Sequence, residues 1–235
     1  MARAIGEGFR IDVDLDHARR EADRVRDMLQ ALRRRHDLSR FEYTRVIRVV
    51  PGGDTFSHPI LTLGNRFADN EDLLLSTYLH EQMHWYLWYL GTPEKDPVAP
   101  FFDELVRRYP EAPTELPDGA RNYESTYLHL VINWLEVAAT SEFIGRHRAM
   151  AVADVQRTYR WIYRTVLRDW DALQELFERH GLVPIRAARE LEAENAKTAK
   201  RALNGGSKKS SAKGRRSASP RSRRKPAARG GRSAG

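Results

Sequence analysis

The residues of this chain whose types and spacing can do chemistry fall in one run, His80-Glu81-Gln82-Met83-His84. On a helix, two histidines four apart share a face, one turn above the other, so both imidazoles reach a single cation. The glutamate after the first histidine points to the neighbouring side. From there it can take a proton from a metal-bound water rather than ligate the metal itself. Two imidazoles are one ligand short, because a catalytic zinc takes three from the protein and keeps a position for water. The chain has no Cys, so the third ligand must be His, Glu or Asp.

Such a run works only on an element that holds it still. Residues 71–90 contain no Gly or Pro, and Asp69, Glu71 and Asp72 suit the positive end of a helix there. Leu75, Leu79, Met83 and Tyr86 recur at helical spacing and supply a buried face. Residues 124–144 read as a second helix of unusual composition. Leu128, Val131, Ile132, Leu135, Val137 and Ala138 make most of its surface apolar, while Ser125, His129, Asn133, Glu136 and Thr140 form a polar stripe. Buried polar groups cost stability unless they are paired, so this stripe needs partners, and the motif helix is the obvious one.

With its motif in mid-helix, the chain resembles the zincin superfamily of zinc-dependent metallopeptidases over residues 41–145, the HExxH motif and its surroundings. The resemblance implies a hydrolase that cleaves peptide bonds in a peptide or protein substrate, with Zn2+ as cofactor and Glu81 as general base. It also implies an edge strand that lines the cleft and pairs with the extended substrate. The metzincin continuation is absent: Gly91 lies seven residues past His84, too late for that pattern, and no histidine follows until His129. A gluzincin-like arrangement, with a glutamate of a later helix as third ligand, makes His80, His84 and Glu136 the metal set. His129 is the alternative ligand and Glu124 a weaker one. His129 and Glu136 are about 10 Å apart along a helix axis, so one ligates while the other lies at the cleft. If Glu136 ligates, His129 or Tyr127 can hydrogen-bond the oxyanion; if His129 ligates, Glu136 orients a histidine. Thr140 stands where that pattern has an acidic residue four after the glutamate.

Earlier in the chain, Leu15 to Leu32 carry an amphipathic helix with Asp14 or Asp16 as N-cap, ending in a solvated Arg33-Arg34-Arg35. Residues 41–50 and 58–63 read as strands around the turn Pro51-Gly52-Gly53-Asp54, the second at a sheet edge because of Pro59. The proline-rich stretch 91–123 is a loop with a short helix at 101–108. Residues 151–180 read as one long amphipathic helix whose aromatics are core, with Gly181 as C-cap. The expected fold is α+β, mainly α: a zincin-like domain over 1–186 with a small antiparallel sheet.

Charge divides the chain again. No acidic residue follows Glu194, yet fourteen Lys or Arg lie between Lys197 and Arg232, so of a net +8 the residues 1–196 keep −6. Residues 187–203 read as a charged helical extension. Residues 204–235, rich in Gly, Ser, Lys and Arg, have nothing to bury and are expected to be disordered, with nonspecific affinity for nucleic acid. No apolar run approaches the ~20 residues of a membrane span, and no secretory signal is legible, which points to a cytoplasmic protein. The rival to an enzyme is a non-catalytic protein, stabilised by its metal, whose tail does the binding.

Overall fold

The computed structural model describes residues 10–13, 19–91 and 96–198. Three short strands, β1 (Arg10–Val13), β2 (Val46–Val49) and β3 (Leu61–Leu63), form a sheet in the order β1-β2-β3, and both pairings are parallel. The expectation of an antiparallel sheet is therefore corrected, and the reasons are local. β1 is four residues long, too short to show a period, and α1 (Arg19–Arg35) supplies the crossover that a parallel β1–β2 pair needs. The turn at 51–54 does reverse the chain, but the returning segment forms no ladder with β2, and its one bridge, antiparallel, is between Phe56 and Thr62 of β3. A second reversal before Leu61 lays β3 parallel to β2.

The first half of the strand expected at 41–50 is not a strand either. Leu38–Phe41 forms a 3-10 turn, and the backbone that follows bonds to a side chain of the motif helix instead of to a neighbouring strand. The Tyr43 and Thr44 N–H groups donate to Gln82 Oε1 at 2.9 and 3.0 Å, and Gln82 Nε2 donates to the Thr44 carbonyl at 2.9 Å.

The motif helix α2 (Glu71–Leu90) starts where the sequence places it, with Asn70 as N-cap accepting from Asp72 and Leu73 N–H. Arg35 pairs with Glu71 and Arg148 with Asp72, so both first-turn carboxylates are answered. After α3 (Ala99–Arg108), α4 (Tyr123–Ile144) is capped by Asn122 and packs along α2. Both helices are buried almost all round, while α1 buries only the stripe Ala22, Val25, Leu29 and Leu32.

The single helix expected over 151–180 is three: α5 (Arg146–Asp154), α6 (Arg160–Arg168) and α7 (Trp170–Arg179). The break before α6 falls at Tyr159, whose φ of 60° is left-handed, and it leaves Val155 exposed where burial was expected. α7 ends as anticipated. Gly181 takes φ 70°, its N–H bonds the Glu178 carbonyl and the Leu182 N–H reaches back to Phe177. Residues 188–198 are helical.

The chain divides into the units Met1–Glu194 and Asn195–Gly235. The expected N-caps Asp14 and Asp16 and the whole of 199–235, the basic tail included, lie outside the described residues. Among the described residues no helix is long and apolar enough to cross a membrane.

Candidate metal centre

Because α2 and α4 pack together, His80 and His84 of the one meet His129 of the other. The three ring centroids stand 5.2, 5.3 and 5.6 Å apart. One ligand atom from each lies within 4.8 Å of the others, a group able to hold a metal ion. Glu136 does not join that group. It sits two turns further along α4 with no solvent exposure, and its carboxylate accepts three hydrogen bonds: from Ser76 Oγ, from His80 Nδ1 at 2.9 Å and from Tyr163 OH at 2.7 Å.

These bonds settle which nitrogens remain. A carboxylate and a carbonyl can only accept, so His80 Nδ1 donates to Glu136 and His129 Nδ1 donates to the Ser125 carbonyl at 2.7 Å. Nε2 is thereby left as the free lone pair on both rings, the arrangement in which a partner on one nitrogen fixes the tautomer for a ligand on the other. Burial, with the nearby His80, holds His129 down at about 4, and burial drives His84 well below its ordinary value. Both are neutral at pH 7, the form that binds metal. For His80 burial acts in the same direction, but the Glu136 hydrogen bond and charge outweigh it and hold this ring above its ordinary value. Three imidazoles with two of them oriented from behind are a donor set able to hold a metal ion.

Glu81 lies beside this group, 6 % exposed, and burial pushes its carboxyl up to about 7. His80, Glu81, His84 and His129 all face a cleft of about 580 Å³. One rim is the segment that precedes β3. It is tied to the motif helix by Trp85 Nε1, which donates to the Ser57 carbonyl at 2.8 Å, and by His58 stacked on Trp85 at 4.1 Å. Gly64 has to be glycine for this rim to close, since a Cβ there would stand 2.3 Å from the Gly53 carbonyl oxygen.

Of the other expected site residues, Tyr127 is buried with its hydroxyl given to the Tyr109 carbonyl at 2.6 Å, and Glu124 is exposed on the first turn of α4. Neither faces the cleft. The segment around α6 adds residues to the cleft that the expectation did not include. Tyr163, Trp170 and Phe177 are core as expected and Tyr159 packs against them, and Tyr159 and Tyr163 also line the cleft, with the Tyr159 ring 4.4 Å from His129. One signal was available: Tyr159 and Tyr163 are four apart and both carry a hydroxyl that a buried helix face must satisfy. Arg66 and Arg121, which also line the cleft, come from loops with no motif to mark them.

The polar stripe of α4 found partners in part. Ser125 serves His129, and Glu136 serves the motif helix, whereas the side chains of Asn133 and Thr140 are buried without a hydrogen-bond partner among the described residues. The chain matches no protein-family model, no curated protein and no solved structure.

Proposed function

We propose that this protein is a zinc-dependent hydrolase, and most specifically a metallopeptidase of zincin type. The observation that carries the reading is the convergence in one cleft of three metal-capable imidazoles with a buried carboxylate that is not among them. His80, His84 and His129 would hold the ion, so that His129 takes the ligand place first expected of Glu136. Glu136 then has the orienting role: it fixes the His80 ring through Nδ1, with Ser76 and Tyr163 holding its own two oxygens. When bound, zinc supplies Lewis-acid polarisation of the scissile carbonyl and lowers the pKa of water to roughly 7.

The remaining work belongs to the chain. Glu81 accepts the proton of the attacking water on its carboxylate and passes it to the leaving amine. Burial raises its carboxyl above the ordinary carboxylate value, which suits a group that must both take and give a proton. Tyr159, its ring 4.4 Å from His129, and Tyr163 line the cleft beside the imidazoles.

The test is a peptide-library digest by full-length protein purified without added metal, with metal content read by elemental analysis. Zinc near one per chain, cleavage lost on chelation, and Glu81→Gln protein that keeps zinc but does not cleave are the expected results. Cleavage that survives either treatment would overturn the hydrolase reading. Metal held by an inert protein would favour the non-catalytic alternative.

A further inference from the structure

Two arginines face the metal cleft, Arg66 from the turn before α2 and Arg121 from the turn before α4. Among the described residues neither has a carboxylate within ion-pair distance, although the chain pairs arginines readily elsewhere on this unit. The contrast is sharpest at Asp118, three residues before Arg121. Its two oxygens are taken by Arg160 and Arg164, from the solvent side of α6. Arg121 takes no share of Asp118 and stands solvent-exposed at the cleft, its guanidinium open to a ligand.

The backbone at Arg121 points the same way. Among the described residues only two other than glycine have a positive φ, Arg121 at 72° and Tyr159 at 60°, and both line this cleft. A left-handed conformation costs a side-chain-bearing residue free energy and persists only where its surroundings impose it. At Arg121 they do so from both sides. The Ala120 N–H is held by Thr126 Oγ1 at 2.9 Å, and Asn122 caps α4 through the Ser125 N–H at 2.7 Å. Glycine would be the cheap choice at such a φ, and the chain puts a guanidinium there. The N-termini of α4 and α6 open on the same cleft through Ser125 and Tyr159, which adds partial positive charge at that end.

Building on the hydrolase reading above, we infer that Arg121, seconded by Arg66, makes the cleft select substrates that carry a carboxylate close to the scissile bond. Guanidinium is suited to this because its fork donates two parallel hydrogen bonds to a carboxylate. The carboxylate has two chemical sources, an acidic side chain or the free C-terminus of a peptide.

Matched peptides separate them: Glu against Gln beside the scissile bond, and a C-terminal acid against its amide. With full-length protein, one of these pairs should differ by roughly tenfold in kcat/KM, carried by KM, as expected of one charge-assisted hydrogen-bond pair. Arg121→Gln should bring that ratio close to one, and Arg121→Lys should keep part of it. Arg121→Gly relieves the backbone, so it should melt no lower than the parent protein while losing the same selectivity. A Glu preference assigns the carboxylate to a side chain, and an acid-over-amide preference assigns it to the chain end. A ratio that survives Arg121→Gln, or the absence of both preferences, overturns the inference. Binding of the same labelled peptides to Glu81→Gln protein, read by fluorescence anisotropy, keeps this apart from the hydrolase question. Tighter binding of the carboxylate peptide that depends on Arg121, with no peptide ever cleaved, would sink the hydrolase and leave the carboxylate site. Equal binding would sink the site.

Discussion

α1 and α2 are helices of 17 and 20 residues on which one chain treats its polar side chains in opposite ways. On α1 they stand in water. One apolar stripe is buried, and Arg24, Arg26 and Arg35 reach carboxylates at or near the surface. On α2 the polar residues Ser76, His80, Glu81 and Gln82 are buried with the leucines. A polar group in water can be left to solvent, whereas a desolvated one must be matched or it costs stability. The bonds around α2 show that matching: Ser76 and His80 to Glu136, Gln82 to the strand entrance at Tyr43 and Thr44. Left over are Glu81 and the cleft-facing edges of the imidazoles, which the fold has desolvated without giving them a structural task. On α2, that residue of unassigned polarity marks the candidate site.

The largest effect that would break this contrast lies in the metal set. Alanine at His80, His84 or His129 should abolish stoichiometric metal, because two remaining ligands hold the ion poorly. Glu136→Gln should keep the metal at an affinity lowered about 10–100-fold, the usual range when a group that orients a histidine is changed. Titration against a fluorescent chelator measures both. A loss at Glu136→Gln as complete as at His129→Ala would return Glu136 to the ligand role and His129 to the cleft.

The next effect is structural, at the motif residue between the histidines with no part in the chemistry. Gln82→Leu has similar volume but leaves the Tyr43 and Thr44 N–H groups and the Thr44 carbonyl without their partner. An unsatisfied buried group costs about 1–3 kcal/mol, and since the two Thr44 groups are only part-buried a loss of about 2 kcal/mol or more is expected in urea denaturation. A loss below about 1 kcal/mol would mean that the 42–45 segment re-forms its bonds elsewhere, and that burial on α2 is not what makes its polar groups costly.

The same distinction explains how much could be read from the chain beforehand. α2, its acidic first turn and the face shared by His80 and His84 are local properties, set by spacing within one helix. α4 as a mostly apolar helix with a polar stripe was legible for the same reason. Which stripe residue meets the histidines was not, because that depends on how far α4 slides along α2. One step of two turns exchanges His129 for Glu136. The parallel sheet was hidden because it rests on a four-residue strand and on two successive reversals around Phe56. Tyr159 and Arg121 were hidden by a positive φ, a feature that glycine announces in a sequence and that tyrosine and arginine do not.

The smallest effect sharpens the contrast within α1 itself. The Arg24–Asp69 pair is 60 % and 85 % exposed at its two side chains, so water already solvates both ions and holding them together restrains two mobile chains. Arg24→Ala should therefore change stability by no more than about 1 kcal/mol. Arg33, nine residues on, looks alike in the sequence but reaches Glu42 with two hydrogen bonds of 2.6 and 3.0 Å. The Glu42 side chain is 1 % exposed and also takes the Tyr78 hydroxyl, which in turn accepts from Gln82. Arg33→Ala would strand that carboxylate inside the polar system of α2, and removing one partner of a buried pair costs about 3–5 kcal/mol. Since Arg33 itself keeps some contact with water, the low end is expected, still several times the Arg24 effect. Side-by-side denaturation of the two variants measures the difference. Equal, small losses would show that Glu42 finds water or another cation when Arg33 is gone, and the division between solvated α1 and desolvated α2 would not extend to the residues that join them.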